Sequence, residues 1–217
     1  MPTPLATFYF DLASPLAYLA AERVLHTMPI ATEWQPVLAR ELLADQRSRR
    51  VPRTGYRSLI GAESFEVFRC REEEEIFRSE AQRRAAELGL QELRWPEPFP
   101  FDSALAMRAA TYAKSIGRVV PFAQAAFRQA FAGGHSLGET DYVLIAAAAC
   151  EMHPSAVLKG AELRSVGEQL SSATAAAAEL GVDDVPAVRI GERVFIGERA
   201  VEDAAAHARE SLPVAVP

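Results

Sequence analysis

The sequence has little cysteine. Its 217 residues include two, Cys70 and Cys150, far apart and neither in a C-x-x-C pair. That argues against a secreted disulfide scaffold, and against a structural zinc site, which takes about four closely spaced ligands. Long apolar runs are missing too. A spanning helix needs roughly 18 apolar residues or more, and Ile145–Cys150 is far shorter, so it reads as part of a buried helix. Met1–Pro4 has no basic start and no apolar signal core. The expectation is a cytoplasmic protein with no membrane partner. Basic charge is also scarce: the formal net charge is −6. A general nucleic-acid binder would show a basic face, so no nucleic-acid partner is expected, although a local basic pocket for an anion stays open. Apolar residues are plentiful at 49%, enough for a full core.

Thr7–Leu12 (TFYFDL) is aromatic and reads as a buried strand. It ends at Ala13-Ser14-Pro15, where Ser14 suits a helix N-cap and Pro15 the first helical position. Leu16, Leu19, Ala20 and Val24 then recur at helical spacing, predicting a helix to about His26. Thr32–Leu38 reads as a second strand, placed at an edge by Pro36. Strand, helix, strand favours a parallel pair.

The stretch from Leu42 to Arg57 is rich in arginine (Arg47, Arg49, Arg50, Arg53, Arg57). It reads as a solvated loop or as a cationic rim over a site for an acidic ligand. From Glu63 to Gly181 the pattern is almost wholly helical. Stripes begin near Phe77, Leu105, Val120 and Leu163, the Leu105 helix capped by Asp102 or Ser103, and a further short helix is capped by Thr140. The acidic run Glu72–Glu75 is a solvated face. Ala187–Ile190 and Val194–Ile196 flank the turn Gly191-Glu192-Arg193 as a hairpin, and Ala200–Arg209 is a closing helix. The order βαβ, helical block, ββα describes an α/β fold: a thioredoxin-like core with a large all-helical insertion. Residues 1–55 and 182–217 form the core and 56–181 the insertion, with the pocket expected at the opening between them.

Two segments carry the candidate chemistry. The helix at Ser14 presents backbone N–H groups and a positive dipole end, which would stabilise a thiolate. Val185-Pro186, just before the hairpin, is expected to be cis, since cis bonds are nearly always X-Pro. A cis bond would turn the Val185 backbone outward, able to pair strand-fashion with a bound peptide. Taken alone, Ser14 is a plain cap. Cys70 and Cys150 sit on helical stripes and read as inert buried thiols.

The segments FYFDLASPLAY, FPFDSALAMRAA (Phe99–Ala110) and GVDDVPAVRIGERVFIG (Gly181–Gly197) resemble the DsbA-like branch of the thioredoxin superfamily. More closely, the chain is similar to the glutathione transferase kappa and 2-hydroxychromene-2-carboxylate isomerase family. The resemblance implies an isomerase, or a glutathione transferase, with Ser14 holding the sulfur of glutathione or another low-molecular-weight thiol. It also implies a small aromatic acid as substrate and a homodimer. Ser14, Pro15, Val185, Pro186, Glu198 and Arg199 are then the ligand-binding residues, Ser14 being catalytic. Glu198-Arg199 stands one position early relative to the family's G-x-D-R, with Glu198 as the acceptor of the γ-glutamyl amine. Redox members carry C-P-x-C where this chain has Ser14-Pro15-Leu16-Ala17. With neither thiol there is no mixed disulfide and nothing to resolve it. The alternative is a DsbA-like protein that binds a peptide or small molecule without redox turnover.

Overall fold

The computed structural model describes residues 6–42 and 71–211. The arginine-rich stretch from Arg47 to Arg57 and Cys70 lie outside them. Four strands form one sheet in the order β2-β1-β3-β4: β1 Ala6–Phe10, β2 Thr32–Pro36, β3 Ala187–Ile190 and β4 Arg193–Ile196. β1 and β2 are parallel, joined by α1 (Pro15–Thr27), while β3 runs antiparallel to β1 and β4 to β3. This is the α/β arrangement expected, with Pro36 on an edge strand, where a residue without an N–H costs no ladder bond.

Side chains alternate across the sheet because the strand period is two. Phe8 and Phe10 enter the larger core, where Trp34 meets both rings edge-on at 5.0 and 5.8 Å, and Phe127 meets Phe10 at 5.8 Å. Tyr9, between them, joins a smaller core on the other face with Val37, Leu42, Ala177 and Val185. Each fully buried aromatic contributes about 1.5–3 kcal/mol over its exposed state, so the three aromatics of β1 fix its register and its facing together.

Between β2 and β3 run α2 (Arg71–Glu87), α3 (Ala104–Ser115), α4 (Val119–Phe131), α5 (Thr140–Ala149), α6 (Pro154–Glu162) and α7 (Arg164–Glu179), and α8 (Ala200–Ser211) closes the chain. α3 is the hub, with Ala106, Met107, Ala109, Ala110 and Ala113 all fully buried. Small residues let neighbouring backbones come close. The structure separates α6 from α7 at Leu163, whereas the sequence pattern showed only the second of these helices. It also places Thr140 inside α5, with Glu139 at the cap position.

Gly160 of α6 lies against the ring of Tyr112 on α3, and a Cβ there would clash with the edge of that ring. On propensity alone, Gly160→Ala in a helix should stabilise by roughly 1 kcal/mol. We expect the opposite sign, a loss of about 1–3 kcal/mol from overpacking, read as a lower urea midpoint at unchanged m-value.

Candidate functional site

One end of the sheet collects the chemistry. β1 leaves it at Phe10 and β2 at Pro36, while β3 enters at Ala187, paired with Tyr9 and Ile196. The start of α1, the Val185–Pro186 peptide and the turn after β4 therefore share that end. Gly197 N–H donates to the Pro186 carbonyl at 2.9 Å, and the Val185–Pro186 bond is cis.

Ser14 has extended backbone (φ −92°, ψ 113°) and caps α1, its Oγ accepting from Ala17 N–H at 3.2 Å. Pro15 fills the next position, where a missing N–H costs nothing. Ser14 is 4% exposed. A hydroxyl has one proton and two lone pairs, and among the described residues nothing accepts the Ser14 proton. The site thus offers one uncommitted O–H donor at the positive end of a 13-residue helix. Val185 is buried and its N–H donates to Asp184 Oδ1 at 2.6 Å.

Sequence reasoning gave Asp11 no role, and the structure puts it at the centre of this end. It is 1% exposed. Its Oδ1 accepts from Ala13 N–H and its Oδ2 from Ala39 N–H, each at 3.0 Å. Burial pushes its pKa up, opposed by those hydrogen bonds and by the charge of Arg40. The available signal was a lone carboxylate closing a buried aromatic strand, a place where charge is rare unless it is paired.

Glu198 and Arg199 follow β4 at the same end, and their charged groups are engaged by ion pairs. Glu198 Oε1 lies 2.8 Å from Arg84 Nε of α2, and the Glu198 carbonyl accepts from Arg23 Nη2 at 3.2 Å. Arg23, 6% exposed, also pairs with Glu202, and burial lowers its pKa to about 10. Arg199 reaches Asp203 at 3.4 Å on the surface. Ser14, Pro15, Val185 and Pro186 thus lie at the same end of the sheet, while Glu198 and Arg199 turn their charges to Arg84 and Asp203.

Cys150 is buried at the end of α5, its thiol donating to the Ala146 carbonyl at 3.0 Å, and burial pushes its pKa up. An open groove of about 640 Å³ lies between α4 and α5, lined by Arg118, Arg128, Ile145 and Cys150 among others, none of them from the α1 start. Among the described residues no cluster of His, Cys, Asp and Glu could hold a metal ion, and no helix is long and apolar enough to cross a membrane.

Residues 6–208 match the family of DSBA-like thioredoxin domains. No curated protein matches the sequence. Solved structures do. A 2-hydroxychromene-2-carboxylate isomerase superposes with a TM-score of 0.76 at 18% identity, covering 95% of each chain. A probable DsbA oxidoreductase from Streptomyces coelicolor gives 0.68 at 16% identity, covering 99% of this chain and 94% of that one. The cytosolic disulfide reductase DsbM from Pseudomonas aeruginosa, solved with GSH, gives 0.59 at 12% identity, covering 95% and 98%. At these identities the likeness is one of fold.

The Asp11 acid yields a prediction with a definite sign. Its folded pKa is raised, so the stability it contributes is fully present below about pH 4 and is lost as pH rises through the folded pKa. Asp11→Asn removes that titration, and it also sets an amide N–H₂ against a backbone N–H, costing about 1–3 kcal/mol. The unfolding free energy of the wild type should therefore fall relative to that of the variant as pH rises above about 4. Urea titrations across that range check it, and a flat difference would contradict the raised pKa.

Proposed function

The chain belongs to the family of DSBA-like thioredoxin domains, and on that premise we propose that it is a thiol-dependent isomerase or transferase rather than a disulfide oxidoreductase. The reaction class is that of the 2-hydroxychromene-2-carboxylate isomerase and kappa glutathione transferase type, on an aromatic-pathway enone, with glutathione or another small thiol as cosubstrate. One observation carries this reading. Where a redox member needs its attacking sulfur, this chain has a nearly buried hydroxyl whose proton meets no acceptor among the described residues. Disulfide exchange requires a thiolate on the protein and a second thiol to resolve the product, and residues 14–17 read Ser-Pro-Leu-Ala.

The residues present fit the sulfur end of such a ligand. When bound, the thiol supplies reversible addition to a conjugated double bond, which lets that bond rotate without net oxidation or reduction. Ser14 donates its proton to the thiolate, a charge-assisted bond of about 1.5–3 kcal/mol. The α1 dipole favours the same negative charge, and the low exposure of Ser14 keeps water from competing.

The amino end of glutathione fits less well, because the Glu198 carboxylate already faces Arg84 at 2.8 Å. That observation favours a second reading, a DsbA-like binder of a small acid or peptide with no turnover. Calorimetry at neutral pH separates the two. Glutathione should bind the wild type, and Ser14→Ala should weaken that binding about 10- to 100-fold, the scale of one charge-assisted hydrogen bond. Equal affinity would leave Ser14 a helix cap only. No binding of glutathione, cysteine or 2-mercaptoethanol by the wild type would transfer the case to the binder.

A further inference from the structure

Thr174 is the one polar residue in the alanine run 173–178 of α7, and it is 2% exposed. Threonine is a poor former of helix interiors, and a buried hydroxyl is costly unless it is bonded. Its Oγ1 donates to the Leu170 carbonyl, one turn back, at 2.9 Å. That bond uses the proton and leaves the lone pairs. One of them accepts from Leu38 N–H at 3.0 Å, across 136 residues of sequence.

Leu38 needs that acceptor. The β1–β2 ladder ends where Val37 N–H donates to the Phe10 carbonyl at 3.1 Å, and a helical turn begins at Ala39. Leu38 and Ala39 stand between the two, both buried, where the ladder has ended and a first helical turn offers its N–H groups no acceptor of its own. Two side chains supply the acceptors: Thr174 for Leu38 and Asp11 for Ala39, each at 3.0 Å. Asp11 sets its other carboxylate oxygen on Ala13 N–H and its carbonyl on Ser14 N–H, again at 3.0 Å each. A chain of buried hydrogen bonds therefore runs from α7, through the exit of β2, to the residue that caps α1. Apolar packing alone would leave this register loose. Val37, Ala39, Leu42 and Ala177 share a small core with Val185, and apolar contact is non-directional.

We propose that Thr174 is a positioning residue that acts through Leu38, Ala39 and Asp11 to hold the turn carrying Ser14. The proposal deepens the thiol-site reading and, for its effect on ligand binding alone, rests on it.

Thr174→Val keeps the side-chain shape and removes the hydroxyl, Thr174→Ala is a second deletion with better helix propensity, and Thr174→Ser returns the hydroxyl. Amide proton shifts, read by NMR on the folded protein without any ligand, follow the relay. In the two deletions the Leu38 amide should move upfield as it loses its acceptor, and the amides of Ala39 and Ala13, which Thr174 does not bond, should move with it. Thr174→Ser should restore all three. In an Asp11→Asn background the deletion should leave Ala13 where it was, because the route through the carboxylate is already cut. Glutathione affinity should fall about tenfold in the deletions and recover in Thr174→Ser. A change confined to Leu38, or an Ala13 response undiminished in Asp11→Asn, would overturn the relay. Wild-type glutathione affinity in a variant whose Ala13 amide has moved would overturn its role at the site. An Ala13 response in a protein that binds no thiol at all would uphold the positioning of the turn and remove the thiol reading.

Discussion

The carboxylate of Asp11 is the interaction on which the site end of the molecule depends. A carboxyl at 1% exposure is costly unless its lone pairs are met. Here two backbone donors from separate segments meet them: Ala13 N–H after β1 and Ala39 N–H after β2. Neither segment can shift without leaving a buried polar group unpaired, a cost of about 1–3 kcal/mol. Three of the four N–H groups between β1 and α1 are held in this turn: Leu12 by the sulfur of Met107, Ala13 by the Asp11 side chain and Ser14 by the Asp11 carbonyl. The Ser14 hydroxyl proton has no acceptor among the described residues.

Local rules carried the sequence reading a long way, and its misses mark where local rules end. β1 was legible because Phe8, Tyr9 and Phe10 have strong strand character. α1 was legible because Ser14-Pro15 is a start signal followed by a stripe. The hairpin was legible from its Val and Ile residues around Gly191. α6 was not, because its buried face is Val157, Gly160 and Ala161, small residues that make a weak stripe and pack by close approach rather than by bulk. Ser103 takes the N-cap position that the sequence offered it, but its backbone is helical and it makes no capping bond. Asp11 and the Arg84–Glu198 pair failed for a different reason: their meaning lies in long-range contacts, which no residue spacing records. Within the site, Ser14, Pro15 and Pro186 were therefore readable, and the engagement of Glu198 was not.

The ion cluster beside the site constrains which part of a ligand could be discriminated. Arg23, Arg84, Glu198 and Glu202 connect α1, α2, the β4 exit and α8. Arg23 is buried deeply enough that its own pKa falls to about 10, so removing either glutamate would leave an arginine short of a partner. A ligand amine arriving at Glu198 must then compete with Arg84, and the gain from the new pair is set against the loss of the old one. Differential affinity at that position is small for this reason. On the proposed reading, selectivity for a thiol arises at the other end, at Ser14.

At Ser14 the deciding difference is one atom. A helix start stabilises whatever anion sits on it, and a cysteine there would itself become the anion, a nucleophile able to attack a disulfide. A serine hydroxyl stays protonated at neutral pH and can only donate. The same dipole and the same burial then act on a charge brought by the ligand. With oxygen in place of sulfur, the fold keeps its electrostatic machinery while losing its own electrons to exchange. That difference is what favours the proposed isomerisation or transfer on a bound thiolate over disulfide exchange.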